Sequence, residues 1–119
     1  MKRIIPFIVG MLCLMLNFSY AQLNQITIDD TGFFPEDITI VNNVAYVSGL
    51  GDGTVRSFDL AQESPIAQTF AAAEEGYTQA WGVKSDGEVL LSLLNTADII
   101  TGNNGPAKLV EYNIASGAK

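Results

Sequence analysis

Short runs of alternating apolar and polar residues, broken by Gly, Asn and Asp, fill the chain from Phe33 onward. DITIV (37–41), VAYVS (44–48) and TVRSFDL (54–60) each carry the period of two expected of a strand with one face toward a core. Asn42-Asn43 and Gly51-Asp52-Gly53 separate them, and both are hairpin chemistry because these residue types tolerate positive φ. Three strands joined by two tight turns make a meander, and PIAQTFA (65–71) predicts a fourth strand. Ahead of them, residues 22–28 alternate enough to read as a short, weakly patterned strand, ended by the turn Asp29-Asp30-Thr31-Gly32. Only residues 71–75 are rich in helix formers, and that stretch is too short to be a stable helix alone.

The order of elements then recurs. Trp81-Gly82-Val83-Lys84 is followed by the turn Asp86-Gly87, by EVLLSLL, by an Asn- and Gly-rich loop and by AKLVEYNI. Laid over one another, VAYVS matches EVLLS with a displacement of 44 residues, and TVRSFDL matches KLVEYNI with one of 54. The extra residues of the second copy fall in the loop containing Asn95, Asn103, Asn104 and Gly105. Two blade-like repeats, about 33–71 and 81–117, predict an all-β fold, a β-propeller of which the chain holds about two blades. Two meanders of a β-sandwich give a similar pattern and remain the alternative.

The first residues change the picture of where the protein works. Lys2 and Arg3, the apolar run 4–16 and the small-residue pattern Ser19-Tyr20-Ala21 together read as a signal peptide, residues 1–21. The run is too short for a membrane span and holds Pro6. Cys13 follows the bulky Leu12 and reads as part of the signal core rather than a lipid attachment site. Cleavage after Ala21 predicts a secreted or periplasmic chain of 98 residues without cysteine, which must be stable without disulfides. That mature part has four Lys and Arg against thirteen Asp and Glu, a net charge of −9. Such a surface repels phosphate backbones and anionic lipid, so no nucleic acid and no membrane partner is expected, whereas divalent cations suit it. With no histidine in the sequence, a Ser-His-Asp triad or a histidine-bearing zinc site cannot be built from this chain. Oxygen ligands remain, and these favour calcium or magnesium.

Phe34-Pro35-Glu36-Asp37-Ile38 leading into VAYVS and VRSFDL, then Trp81-Gly82-Val83 with Asp86-Gly87 and LVEYNIASG, resembles the regucalcin and gluconolactonase family of calcium-dependent six-bladed propellers. It is also similar to the strictosidine-synthase-like propellers, which show a Pro-Glu-Gly run in the first blade. The resemblance covers roughly residues 31–117 and implies a divalent metal, calcium first, held in part by a first-blade glutamate. That residue corresponds here to Glu36, with Asp37 standing where the Pro-Glu-Gly relatives have glycine. At the start of the second blade close relatives carry an Asn-Asp-Gly run with a further ligand, where this chain has Ala80-Trp81-Gly82. Two functions follow as expectations: a metal-dependent hydrolase of lactones or small esters, or a non-catalytic propeller binding an extracellular protein or glycan. Gly51-Asp52-Gly53 and Asp86-Gly87 read as turns before they read as ion sites, Trp81 as an aromatic packed between blades, and Asn103-Asn104-Gly105 as a solvated loop. Six blades at this period need roughly 280 residues, so the sequence reads as the N-terminal piece of a longer propeller.

Overall fold

A computed structural model describes residues 25–96, 102 and 105–119. The signal segment 1–21 and the loop residues Asn103 and Asn104 therefore lie outside the described residues. The fold is all-β. β1 (Pro35–Val41), β2 (Val44–Gly49), β3 (Val55–Asp59) and β4 (Gln68–Ala71) form one antiparallel sheet in sequence order, and β5 (Gln79–Ser85), β6 (Val89–Asn95) and β7 (Ala107–Asn113) form a second.

Local chemistry sets the turns. Asn42 and Asn43 take φ values of 47° and 64°, the two left-handed residues that a two-residue hairpin between Val41 and Val44 demands. After β2, Gly53 turns the chain at φ 71°, and Asp52 Oδ1 accepts hydrogen bonds from the N–H and the hydroxyl of Thr54. In the second sheet Gly87 (φ 110°) makes the turn, while Asp86 Oδ1 accepts from the N–H groups of Glu88 and Val89.

The sheets pack face to face and approach most closely through β1 and β5. Alternation along β2 and β3 sends Tyr46 and Val55 toward the second sheet, where they meet Ala80, Val83, Leu90, Leu94, Val110 and Tyr112. The Phe70 ring stands edge-on to both Tyr46 and Tyr112. The opposite face of the first sheet holds a second cluster of Phe33, Ala45, Val47 and Phe58, onto which Ile26 and Ile28 pack. Arg56 lies over the Phe33 ring, 4.1 Å from its centroid, and pairs with Asp30 and Asp52.

Three expectations are corrected. Residues 25–28 belong to no sheet: Ile26 and Ile28 give them the side-chain pattern of a strand, but they meet a sheet face, where no edge offers ladder partners. The fourth strand is shorter than PIAQTFA and begins at Gln68. The repeat is also displaced differently. Ile38 pairs with Val47 and Val83 with Ser92, Ile40 with Ala45 and Ser85 with Leu90, so β1 and β2 map onto β5 and β6 with a displacement of 45 residues, not 44. The displacement of 54 holds for β3 and β7, since Ala45 pairs with Phe58 and Leu90 with Tyr112. A one-residue slip flips every side chain, and the matched serines Ser48 and Ser92 do face opposite ways in the repeat.

Candidate functional site

With the displacement corrected, the first strands of the two sheets carry the same irregularity. Pro35 pairs with Gly49 and Ile38 with Val47, leaving one extra residue in β1 at Glu36-Asp37. Ala80 pairs with Leu94 and Gly82 with Leu93, leaving one extra residue in β5 at Trp81. A bulge re-aims side chains at the end of a strand and is a common device beside binding sites. Phe34, just before the first bulge, is held at φ 45°, a backbone region that costs a bulky residue about 1–2 kcal/mol. Hydrogen bonds from the N–H of Leu50 to Phe34 O and from that of Gly51 to Phe33 O fix it there.

The two acids of the first bulge differ in commitment. Asp37 uses both carboxylate oxygens: Oδ1 accepts from the N–H of Ile38 at 2.8 Å, and Oδ2 accepts from the N–H of Val83, on the other sheet, at 3.2 Å. Its own N–H donates to Ser48 Oγ at 3.2 Å. Glu36 is exposed and has no hydrogen bond or ion pair among the described residues. It stands at the rim of an open groove of about 300 Å³ lined by Ile26, Ile28, Ile38, Val47 and Phe58.

A free carboxylate of this kind suits a hard cation, but calcium takes six to eight oxygens. Among the described residues no three acidic side chains converge, so Glu36 accounts for one ligand and the rest of such a shell would have to come from elsewhere. The Trp81 bulge supplies no carboxylate: its indole N–H donates to Gln79 Oε1 at 2.8 Å and its ring is half-buried. Asp52 is engaged by Thr54 and Arg56, and Asp86 by two backbone N–H groups, so both serve their turns. The Asp86 carboxyl is thereby held below its ordinary pKa, mainly by the N–H of Val89 and then by that of Glu88.

The contact from Asp37 to Val83 was not foreseen from the sequence. Its only signal is an acid where a bulge would accept glycine, and its partner lies 46 positions away. Ser92, buried on the inner face of β6, carries a hydroxyl oxygen without a partner among the described residues.

Fold and site together define an all-β protein of two packed antiparallel meanders with a bulged, acidic strand start. Comparison with known proteins finds no matching family model, curated protein or solved structure. No helix among the described residues is long and apolar enough to cross a membrane.

Proposed function

We propose that the two sheets are successive blades of a β-propeller of the regucalcin and gluconolactonase type, exported from the cell, and that the protein is a divalent-metal-dependent hydrolase of lactones or small esters. Support for the propeller comes from the shared meander, the bulge repeated at one place in each first strand, and the close approach of β1 to β5 as inner strands. Outward-facing apolar residues on both sheets, among them Ile38, Ile40, Leu93 and Leu109, fit the need of each blade for a neighbour.

The observation that carries the functional reading is Glu36: an uncommitted carboxylate at the first bulge, on an acidic chain, beside an aspartate whose oxygens are already engaged. Calcium is the ion of choice, and Glu36 is one of its ligands. Calcium titration of the full-length protein by calorimetry tests this, with Glu36→Gln as the variant and Glu63→Gln as the surface control. Binding should be lost in the first and kept in the second, and δ-lactone or aryl-ester hydrolysis should fall with it. Equal calcium binding by all three proteins would falsify the metal reading.

A second reading, a non-catalytic propeller that binds an extracellular protein or glycan, is favoured by one observation. The second bulge carries Trp81-Gly82 where a catalytic relative would hold an oxygen ligand. Calcium binding without hydrolysis of any lactone or ester would select it.

A further inference from the structure

The bulges of β1 and β5 belong to different sheets, yet one side chain joins them. Asp37 Oδ2 accepts the N–H of Val83, the second residue after Trp81, across the sheet–sheet boundary. The same carboxylate is pinned on its own side through Oδ1 and the N–H of Ile38. Its main chain is clamped as well: the N–H of Asp37 donates to Ser48 Oγ, that hydroxyl donates to Asp37 O at 3.4 Å, and Ser48 is fully buried. Asp37 thus has a fixed backbone, a fixed carboxylate and a partner on the neighbouring sheet. Glu36, one residue earlier on the same bulge, has no side-chain partner among the described residues.

A bulge with an extra residue has several backbone arrangements of similar energy, and the ladder alone does not choose among them. An acceptor reaching to the second sheet does choose, because its hydrogen bond forms in only one of them. We propose that Asp37 is a positioning residue: it ties the bulge of the first sheet to that of the second and so fixes the direction in which Glu36 presents its carboxylate. The consequence for metal binding rests on the reading of Glu36 as a ligand, whereas the tie between the bulges does not.

Hydrogen exchange at the Val83 amide and calcium titration, both on the full-length protein, separate the two layers. Replacing Asp37 by Ala removes the acceptor, and the loss of one such hydrogen bond should speed exchange at Val83 by about tenfold. Exchange at Leu90 and Tyr112, in the shared core, should not change. Asp37→Asn keeps one acceptor oxygen and should lie between parent and Ala, which a general loss of stability would not produce. If the Ala variant does not fold, Asp37→Gly, suited to a bulge backbone, takes its place. Calcium affinity should follow the same order, weakening by about tenfold in the Ala variant if the carboxylate of Glu36 is misdirected once the contacts of Asp37 with Val83 and Ile38 are lost. Unchanged exchange at Val83 in the Ala or Gly variant overturns the tie. Faster exchange at Val83 with parental calcium affinity, while Glu36→Gln abolishes binding, overturns the positioning role and leaves the ligand reading standing. If Glu36→Gln itself binds calcium like the parent, the metal reading falls and the tie is judged on amide exchange alone.

Discussion

The first sheet buries side chains on both faces, although Ile38 and Ile40 of β1 stay exposed on the outward one, and the second sheet buries them on one. In the first, Tyr46 and Val55 look toward the second sheet, while Ala45, Val47 and Phe58 look away and are still covered by Phe33, Ile26 and Ile28. In the second, Leu90, Leu94, Val110 and Tyr112 are buried against the first sheet, but the opposite face leaves Leu93 42% and Leu109 63% exposed. The first three strands of each sheet share a backbone pattern, down to the bulge, but not the chemistry. Glu36-Asp37 occupies the first bulge and Trp81-Gly82 the second. A repeated fold here carries an acidic device once, so a role read from one sheet does not transfer to its copy.

The largest expected effect tests which faces are covered. Phe58 and Tyr112 are equivalent by the repeat and only 1% and 2% exposed. Truncating either to Ala should cost about 3–5 kcal/mol, the range for large core side chains. Leu109→Ala, on the outward face of the second sheet, should cost about 2–5 kcal/mol in the full-length protein if a further blade covers that face, and stay within about 0.5 kcal/mol if the face is open. Urea midpoints of the full-length protein provide the measurement. A cost at Leu109 close to that at Phe58 would mean that the outward face of the second sheet is covered in the whole protein.

Next in size is a contrast at one position of the repeat. Gly49 in the first sheet corresponds to Leu94 in the second. A Cβ at Gly49 would run into the ring of Phe33, so the volume that Leu94 fills with its own side chain is filled at Gly49 by a residue sixteen positions earlier. Gly49→Ala should therefore destabilise by about 1–3 kcal/mol through overpacking. Adding Phe33→Leu should recover part of the loss, whereas the same Phe33→Leu change in the parent should only destabilise. Additive costs in the double variant would refute the shared volume.

The alternation of VAYVS and VRSFD, together with the Asn42-Asn43 and Asp86-Gly87 turns, made the meanders readable, because strand period and turn chemistry are local properties. The repeat was readable only to within a residue. Matching Ser48 to Ser92 looked natural in sequence, but facing is decided by pairing across the hairpins, where the pair Ile40–Ala45 answers to Ser85–Leu90. Residues 25–28 misled for the opposite reason: the alternation of Ile26 and Ile28 marks contact with an apolar face and says nothing of a ladder partner. Glu36 draws attention in the sequence by type and context alone, whereas the contact of Asp37 with Val83 is one that only the packing of two sheets brings about.

A smaller effect concerns how each sheet makes its first turn. Asn42 and Asn43 both sit at positive φ, so Asn42→Ala should cost about 1–2 kcal/mol from the left-handed backbone alone. Asn43→Gly should be neutral or stabilising by a few tenths of a kcal/mol, since Gly removes that penalty at an entropic cost. In the second sheet Gly87 already takes the positive φ, and Gly87→Ala should lose about 1 kcal/mol at φ 110°. Thermal unfolding of the variants ranks them, and a stabilised Gly87→Ala variant would contradict the turn geometry.

The smallest effect separates the sheets by the origin of their acid sensitivity. Asp30, which ties the segment ahead of β1 to the first sheet, is held below the ordinary carboxylate pKa first by its hydrogen bond from Arg56 and then by the N–H of Gly32. Asp86, in the turn of the second, is lowered by the N–H groups of Val89 and Glu88. A depressed folded-state pKa means that the unfolded chain binds the proton more tightly. Both contributions are therefore complete above the ordinary carboxylate range, about pH 4, and are lost as pH falls through the folded values. Both carboxylates lie near solvent, so the stabilisation is small, but salt should tell them apart. At 1 M salt the screening length shrinks to about 3 Å, which weakens the partly exposed ion pair of Asp30 with Arg56 and leaves short hydrogen bonds from neutral N–H groups nearly intact. Carboxyl-carbon NMR titration at low and high salt should show the Asp30 pKa climbing toward its ordinary value while that of Asp86 stays depressed. Equal movement of the two would mean that the N–H of Gly32, rather than Arg56, governs Asp30, and that the first sheet holds its leading segment by turn geometry, as the second sheet holds its hairpin.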